Sequence, residues 1–225
     1  MVAVTNDARE NLRGLYVIID PVAIDERDEL QVARQAIEGG ARLLQWRDKR
    51  REKGAQLLVA ETLRRLCEER GALLIVNDHV DLAIVAGAHG VHVGQRDLPV
   101  SAVRLLTGRR MIIGCSTNNP EEARQAEADG ADYVSVGQLF PTGSKLDTRP
   151  ATLDTLRAVR AAVSVPVCAI GGINELNIDE VLAAGADMAS VIAAVVAAAN
   201  VREAASRLAA RFPNTQLPNI RSQTN

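Results

Sequence analysis

Three polar side chains early in the chain alternate along the sequence and include two cations. Gln45, Arg47 and Lys49 follow an apolar run, and in an extended backbone alternate side chains point to the same side. Two cations on one side suit a phosphate or another anionic group. The stretch from Arg47 to Lys53 is also a run of mixed charge, which is typical of a solvated loop. The spacing alone leaves both interpretations open.

Two carboxylates, Asp78 and Asp97, follow two successive apolar runs. If these runs are neighbouring strands, both carboxylates come within reach of one hard cation such as Mg²⁺, which prefers carboxylate and phosphate oxygens. From spacing alone we favour the plainer interpretation that each Asp starts a turn or caps a helix. His92 lies within the second run, and we interpret it as a hydrogen-bonded interior histidine rather than as a base.

Three further segments have the composition of phosphate-binding loops. Thr142-Gly-Ser-Lys145 offers two hydroxyls and an ammonium, although it is too short for a Walker loop. Gly171-Gly172 ends an apolar run before a helix that we expect to begin near Asn174, where backbone amides can bind phosphate. Many tight turns share that pattern. The last apolar run ends at Ile192-Ala193, in the part of a barrel where phosphate often binds.

Eight nearly continuous apolar runs precede these polar residues. They lie near residues 15–20, 42–46, 72–77, 90–93, 111–115, 132–137, 165–170 and 187–192. Such runs are typical of parallel strands that are buried on both faces. Amphipathic segments such as 57–67 and 120–129 alternate with them and predict helices. This alternation predicts an α/β fold, a single (βα)8 TIM barrel, with its chemistry at the carboxyl ends of the strands.

A repeated Gly-Ala junction supports the same alternation. It occurs at 40–41, 71–72, 87–88, 130–131 and 185–186, each time between a helical pattern and an apolar run. Glycine suits the left-handed residue just past the end of a helix. We predict one barrel domain over residues 14–211, between a flexible amino-terminal segment, 1–13, and a flexible carboxyl-terminal tail, 212–225.

Composition and charge exclude several classes of function. With 26 basic and 28 acidic residues the chain has a formal net charge of −2, and only 2% of its residues are aromatic. It therefore lacks both a basic field and stacking platforms for nucleic acid. No apolar stretch reaches the ~18 residues of a membrane span, and no secretory signal opens the sequence. We expect no nucleic-acid or membrane partner and a cytoplasmic location.

A series of short motifs stands in order between Gly14 and about Ala198. They are Gly14-Leu-Tyr-Val-Ile-Ile-Asp20, Gln45-x-Arg47-x-Lys49, Asn77-Asp78-His-Val-Asp-Leu-Ala83, Gly90-Val-His-Val-Gly-Gln-x-Asp97, Gly114-Cys-Ser116, Asp132-Tyr-Val-x-Val-Gly137, Pro141-Thr-x-Ser-Lys145 and Ala169-Ile-Gly-Gly-Ile173. Each motif alone is common. Together, in this order, they resemble the thiamine phosphate synthase family of barrel enzymes, which join the pyrimidine and thiazole halves of thiamine.

The resemblance implies a transferase that condenses hydroxymethylpyrimidine diphosphate with thiazole phosphate and releases diphosphate. The cofactor it implies is Mg²⁺, bound by Asp78 and Asp97. The residues implied to hold the pyrimidine diphosphate are Gln45, Arg47, Lys49, Asn77, Ser116 and Lys145, of which Arg47, Lys49, Ser116 and Lys145 take the catalytic part. Those implied to hold the thiazole phosphate are Thr142, Ser144, Gly172, Ile192 and Ala193.

One departure from the family and three rival interpretations accompany this assignment. Family members commonly have a serine at the position of Ala193, so one hydroxyl contact to phosphate is missing here. The rivals are a thiazole tautomerase of the same family, a non-catalytic barrel that binds a phosphorylated metabolite, and a soluble barrel whose loop charges serve only solubility.

The two small substrates are the partners that the resemblance implies, and a homo-oligomer is left open. The sequence leaves open whether the loop 142–149 closes as a lid, which its glycine at position 143 would allow. We expect Arg47→Ala or Lys145→Ala to lower turnover far more than stability.

Overall fold

Eight parallel strands close into a barrel in the computed structural model, which describes residues 12–142 and 149–213. The strands are Gly14–Ile19 (β1), Leu43–Trp46 (β2), Leu73–Asn77 (β3), Gly90–Val93 (β4), Ile112–Thr117 (β5), Tyr133–Val136 (β6), Val167–Ile170 (β7) and Met188–Val191 (β8). Each strand pairs with the next, and β8 pairs with β1. The predicted TIM barrel is confirmed, and no strand boundary differs from its predicted position by more than two residues.

Helices surround the barrel and follow the strands in alternation. Those in the described chain are Pro21–Ile24 (α1), Glu29–Glu38 (α2), Lys53–Arg70 (α3), Val80–Ala86 (α4), Val100–Thr107 (α5), Pro120–Ala128 (α6), Leu153–Ala162 (α7), Ile178–Ala183 (α8), Ala193–Val196 (α9) and Val201–Ala209 (α10), with a 3₁₀ turn at Gly108–Arg110. The segments predicted as helical, 57–67 and 120–129, coincide with α3 and α6. None of these helices has the length and apolarity needed to cross a membrane.

Successive residues of every strand except β4 contribute to two separate hydrophobic cores. Val17 and Leu44 belong to the core between the strands and the helices, together with helix residues such as Ala33. Tyr16 and Leu43 belong to the core inside the barrel. Because both faces of a strand are covered, every residue of β1 is buried, and this explains why the strands appear in the sequence as continuous apolar runs.

Glycines end helices at the predicted Gly-Ala junctions. Gly71 follows α3 with φ 70°, and Gly87 follows α4 with φ 66°, both in the left-handed region. In the first of these turns the next residue, Ala72, donates its backbone N–H to the Cys67 carbonyl at 2.9 Å. A residue with a side chain is strained in this conformation, so glycine allows the chain to turn directly from helix into strand.

The seam between the last and the first units of the ring is closed in both layers. In the inner layer β8 pairs with β1 along Gly14 to Val17. In the outer layer α10 packs against α2 so closely that a Cβ at Gly39 would lie 2.4 Å from the Arg202 carbonyl oxygen. Arg27, after α1, donates to the Ala198 carbonyl at 3.0 Å, beyond the end of α9. These contacts join the beginning of the barrel to its end.

The predicted flexible termini, 1–13 and 212–225, fall mostly outside the described residues. At the two boundaries the described chain is packed. Leu12 is buried in the interior core, and Phe212 is buried against the core that underlies the helices.

The helix predicted near Asn174 begins later, at Ile178. The Asn174 backbone N–H donates to Asn177 Oδ1 at 2.8 Å, and Asn177 Nδ2 donates to the Gly172 carbonyl at 3.0 Å. Asn side chains compete for backbone groups in this way and favour turns over helix. The prediction of a helix start at Asn174 is therefore wrong, and a turn closed by side chains follows Gly172.

Candidate active site

A cavity of about 790 Å³ opens at the carboxyl ends of the strands. Each of the eight strands contributes at least one residue to its lining. This is the face of a βα barrel where ligand sites occur, and the volume is in the range of small-molecule sites. The cavity therefore has both the position and the size of an active site.

Every predicted site residue that the structure describes lines this one cavity. These residues are Gln45, Arg47, Lys49, Asn77, Asp78, Asp97, Ser116, Thr142, Gly172, Ile192 and Ala193. The predicted residues Ser144 and Lys145 lie outside the described residues, as does most of the loop 142–149. The fold thus brings together polar residues that are scattered over most of the chain.

Arg47, which lines the cavity, is anchored to a buried carboxylate. Its guanidinium forms an ion pair with Asp20, whose side chain is only 5% exposed. Asp20 also caps α1, since its Oδ1 accepts the Val22 backbone N–H at 2.9 Å. Because Asp20 is held on both sides, the Arg47 guanidinium has a fixed position at the wall.

Lys49 and Asp78 form the more exposed rim. Lys49 Nζ lies 3.9 Å from Asp78 Oδ2, and the lysine side chain is 55% exposed. Asp78 has the left-handed φ of 60°, which Asp tolerates better than most residues do. Its backbone N–H donates to the His92 carbonyl at 2.8 Å. This bend after β3 turns the Asp78 carboxylate toward the cavity. Asp78 therefore forms a turn and also lines the cavity.

Asp97, like Asp78, has a role in a turn and also lies at the cavity, the two interpretations that the sequence left open. Its Oδ2 accepts the Gly94 backbone N–H at 2.7 Å, which closes the turn after β4. The same residue lines the cavity. Among the described residues, no three His, Cys, Asp or Glu side chains group closely enough to hold a metal ion by themselves. A metal at Asp78 and Asp97 therefore needs further ligands from a substrate or from water.

A glycine pair allows the loops after β6 and β7 to pack together. A Cβ at Gly172, where φ is 65°, would lie 2.7 Å from the Pro141 carbonyl oxygen and 2.8 Å from the Phe140 Cβ. The Phe140 backbone N–H donates to the Gly171 carbonyl at 3.0 Å. This close approach places Thr142 and Gly172 on the same side of the cavity, beside the turn at Ile192 and Ala193.

The floor of the cavity is formed by polar side chains inside the barrel. Tyr16, Ser135, Cys168 and Ser190 all line it. Burial raises the pKa of the Cys168 thiol to about 12, so this group stays protonated near neutral pH. Within the described chain Ser190 Oγ is buried without a hydrogen-bond partner, and it is free to bond a ligand that reaches the floor.

Sequence reasoning missed the floor and two cations, Arg96 and Arg149, that also line the cavity. Arg149 makes two hydrogen bonds of 2.7 Å to Glu122 and holds the pKa of that carboxyl below its usual range. The position of Arg149 just after a phosphate-binding type of loop is the signal that could have identified it. For Tyr16, the signal is its place inside a strand otherwise composed of aliphatic residues.

Comparison with known proteins gives one consistent result. A family model described as thiamine monophosphate synthase matches residues 15–195. The chain is 45% identical over 197 residues to a thiamine-phosphate synthase of Methanospirillum hungatei, an alignment that covers 87% of this chain and 96% of the relative. It is 47% identical over 195 residues to that of Moorella thermoacetica, which covers 86% and 93%.

A solved structure agrees with these relatives. Thiamine phosphate pyrophosphorylase from Pyrococcus furiosus superposes with a TM-score of 0.82 at 39% sequence identity. The superposition covers 90% of this chain and 96% of that one. The family model, over residues 15–195, reaches from β1 to β8 and so includes every strand that lines the cavity.

Proposed function

The chain belongs to the thiamine monophosphate synthase family, and on that basis we propose that it condenses hydroxymethylpyrimidine diphosphate with thiazole phosphate. The products are thiamine phosphate and diphosphate. In this transfer the bond between the pyrimidine methylene carbon and the diphosphate oxygen breaks. A bond between that carbon and the thiazole nitrogen forms.

One observation carries the assignment of the substrate site. Two cations, Arg47 and Lys49, and two carboxylates, Asp78 and Asp97, line a single cavity at the carboxyl ends of β2, β3 and β4. The protein as a whole is nearly neutral, with a net charge of −2, so this concentration of charge is local. A diphosphate with a divalent cation supplies the complementary charges.

Asp78 and Asp97 fit a Mg²⁺ site that the substrate completes. Mg²⁺ usually binds through one or two carboxylates together with phosphate oxygens and water, and two carboxylates at one rim match that donor set. When bound there, the ion neutralises charge on the diphosphate and makes it a better leaving group.

The cations of the chain favour departure of the diphosphate. Arg47, fixed by Asp20, and Lys49 at the rim stabilise the negative charge that grows on the leaving oxygen. Lys145 has the same role in the family resemblance but lies outside the described residues. Gln45, Asn77 and Ser116 help to hold the pyrimidine diphosphate, and the electron-rich aminopyrimidine stabilises the cationic methylene until the thiazole nitrogen attacks.

The thiazole phosphate is assigned to the opposite part of the cavity. Thr142 supplies a hydroxyl there, and the turns at Gly172 and at Ile192-Ala193 supply backbone N–H groups. Ser144, outside the described residues, completes this set in the resemblance. Since Ala193 has no hydroxyl, its contact to phosphate is through the backbone. Binding both substrates in one cavity orients the nitrogen toward the methylene carbon.

The reaction needs no nucleophile from the protein, and the thiol at the cavity floor agrees with that. Burial raises the pKa of the Cys168 thiol to about 12. Cys168 is therefore not a thiolate near neutral pH, and the thiolate is the nucleophilic form. Positioning and electrostatic stabilisation therefore account for the catalysis that we propose.

The test is to incubate the protein with Mg²⁺, hydroxymethylpyrimidine diphosphate and thiazole phosphate, and to follow thiamine phosphate and released diphosphate by chromatography. We expect the two products in equal amounts. A sample with excess EDTA and the Asp97→Ala variant should both lose at least about a hundredfold in rate, because each removes the charge neutralisation of the leaving group.

Asp129→Ala is the matched control, since Asp129 follows α6 at the opposite end of the barrel. It should retain the wild-type rate. Absence of thiamine phosphate with folded wild-type protein would contradict the proposed function. If such protein still binds thiazole phosphate, the thiazole tautomerase or the non-catalytic binding barrel becomes the better assignment.

A further inference from the structure

A continuous line of hydrogen-bonding side chains runs through the barrel interior and ends at the cavity. Gln45 Nε2 lies 2.8 Å from the Tyr16 hydroxyl, which lies 3.1 Å from the Tyr133 hydroxyl. The Tyr133 hydroxyl lies 2.9 Å from His92 Nδ1, and His92 Nε2 lies 2.9 Å from Ser116 Oγ. We refer to these five residues as the interior chain. Tyr133 is fully buried and is the only member that does not line the cavity.

The strand register explains how Tyr133 reaches a histidine two strands away. His92 on β4 pairs with Gly114 on β5, and Gly114 pairs with Tyr133 on β6. A Cβ at Gly114 would lie 2.1 Å from Tyr133 Cζ, so only glycine leaves room for the phenol. The Tyr133 ring crosses this gap and stacks on the His92 ring with centroids 5.5 Å apart. A glycine inside a strand normally weakens that strand. The close approach of Tyr133 explains why β5 has a glycine at position 114.

The donors along the interior chain fix its direction. An amide nitrogen only donates, so the Tyr16 oxygen accepts from Gln45. A buried hydroxyl proton needs an acceptor, and among the hydrogen bonds of the Tyr16 hydroxyl only the Tyr133 oxygen can be that acceptor. Burial raises the pKa of both phenols, so both keep their protons. Tyr133 then accepts from Tyr16, and its own buried proton has His92 Nδ1 as its acceptor.

The same direction continues to the cavity. An imidazole nitrogen that accepts a hydrogen bond carries no proton, and the proton of the neutral ring is then on Nε2. His92 Nε2 donates to Ser116 Oγ, so the hydroxyl proton of Ser116 points away from the histidine. Ser116 lines the cavity, so this proton is available to a ligand there.

We propose that Tyr133 is a positioning residue: by holding His92 as the Nε2–H tautomer, it makes the Ser116 hydroxyl a fixed hydrogen-bond donor to the pyrimidine diphosphate. The identity of this ligand rests on the proposed function, whereas the interior chain is a property of the protein alone. A donor that is oriented before the ligand binds needs no reorganisation during the reaction. The reverse direction would present a serine lone pair to an anion.

The first test measures the tautomer directly, in the protein without ligand. With ¹⁵N-labelled histidine, multiple-bond ¹⁵N–¹H correlations distinguish the protonated ring nitrogen from the unprotonated one. We expect His92 to show a protonated Nε2 and an unprotonated Nδ1 in the wild type, and a mixture of tautomers in Tyr133→Phe. Tyr16→Phe is the matched control: it removes the other buried phenol hydroxyl but leaves His92 Nδ1 as the acceptor for the buried Tyr133 proton, so it should retain the wild-type tautomer.

The second test asks whether Tyr133 acts through Ser116. We expect Tyr133→Phe to lower kcat about tenfold, the effect of losing one well-placed hydrogen bond, with an unchanged KM for thiazole phosphate. In a Ser116→Ala background the same substitution should change kcat by less than about twofold, because the group it positions is already absent. His92→Gln, whose amide nitrogen can replace Nε2 as the donor, should retain more activity than His92→Leu.

Two results would overturn the inference. One is a protonated Nδ1 on His92 in the wild-type protein, because it requires the hydrogen bonds of the interior chain to run in the opposite direction. This measurement needs no variant to fold. The other is an equal loss from Tyr133→Phe with and without Ser116, which would place the effect of Tyr133 elsewhere. A wild-type protein that makes no thiamine phosphate would refute the proposed function instead, and the tautomer measurement would still decide the direction of the interior chain.

Discussion

At the scale of single residues, the buried partner of Arg47 changes what a substitution there can reveal. From the sequence, Arg47→Ala is expected to lose turnover and little stability. In the structure, removing the guanidinium leaves the Asp20 carboxylate buried without its cation, and breaking a buried ion pair costs about 3–5 kcal/mol. Arg47→Ala therefore mixes a catalytic effect with a folding effect, and a change at Asp20 separates them better.

We predict that Asp20→Asn lowers kcat/KM for the pyrimidine diphosphate about tenfold and leaves the protein folded. Asn still caps α1, since its side-chain oxygen accepts the Val22 N–H, but it no longer holds the guanidinium by charge. Steady-state kinetics and urea denaturation measure the two effects. Glu29→Gln is the control, because Glu29 pairs with Arg51 away from the cavity lining. Equal kcat/KM values in Asp20→Asn and the wild type would show that the anchor is unnecessary.

A second residue-scale prediction concerns pH and His89, at the other end of the barrel. The Leu74 backbone N–H donates to His89 Nδ1 at 3.0 Å, and burial lowers the pKa of this imidazole to about 4. The unfolded chain, with an ordinary pKa near 6.5, binds the proton more readily. The contribution of His89 to the free energy of unfolding is complete above about pH 6.5 and is lost as the pH falls toward 4. Between pH 7.5 and 5 the loss amounts to about 2 kcal/mol.

His89→Asn isolates that contribution, because the Asn side-chain oxygen can accept the Leu74 N–H but does not titrate. We expect urea denaturation to show a smaller loss of unfolding free energy between pH 7.5 and 5 in the variant, by about 2 kcal/mol. Identical pH dependence in the two proteins would mean that His89 takes up its proton equally in both states.

At the scale of elements, the contact between the loops after β6 and β7 depends on Gly172. We predict that Gly172→Ala raises KM for thiazole phosphate at least about tenfold, because the added Cβ meets Phe140 and Pro141 and displaces the loop that carries Thr142. Gly108→Ala is a matched control: Gly108 also has positive φ, 56°, but nothing lies within 4 Å of its Cβ position.

Both glycine substitutions should cost about 1 kcal/mol or more of unfolding free energy through backbone strain. Only Gly172→Ala should change the kinetics. If the two variants bind thiazole phosphate equally well, the packing of these loops does not shape the phosphate site.

The strands could be located from the sequence, whereas the contacts between them could not. Continuous apolar runs mark strands buried on both faces, and all eight are confirmed. The order of polar residues after those runs also predicts which described residues line the cavity. The line from Tyr133 across Gly114 to His92 depends on strand register, which no local pattern encodes. The turn at Asn174 was missed because side-chain bonds there replace a helical turn.

At the scale of the whole molecule, ligand binding should stabilise the entire barrel. The cavity takes residues from every strand, so a bound ligand contacts only the closed ring and not the unfolded chain. At a concentration of Mg²⁺ and inorganic diphosphate about 100-fold above Kd, the gain is about 2.7 kcal/mol. For a chain of this length, that predicts a rise in Tm of about 5–10 °C.

Thermal denaturation followed by circular dichroism measures this shift. Mg²⁺ alone and diphosphate alone should give smaller shifts than the two together, and Asp97→Ala should lose most of the joint effect. An equal shift in Asp97→Ala would place the binding of metal diphosphate outside the proposed site.

The closed seam between β8 and β1 has a consequence for synthesis of the chain. Gly14 leaves the ribosome early, but its partner Met188 follows 174 residues later. At about 5–20 residues per second, β1 therefore waits on the order of 10–30 s with an unpaired edge. Unpaired strand edges invite pairing with other chains. The nascent protein must pass through this open period on every round of translation, and only the arrival of its last strand ends it.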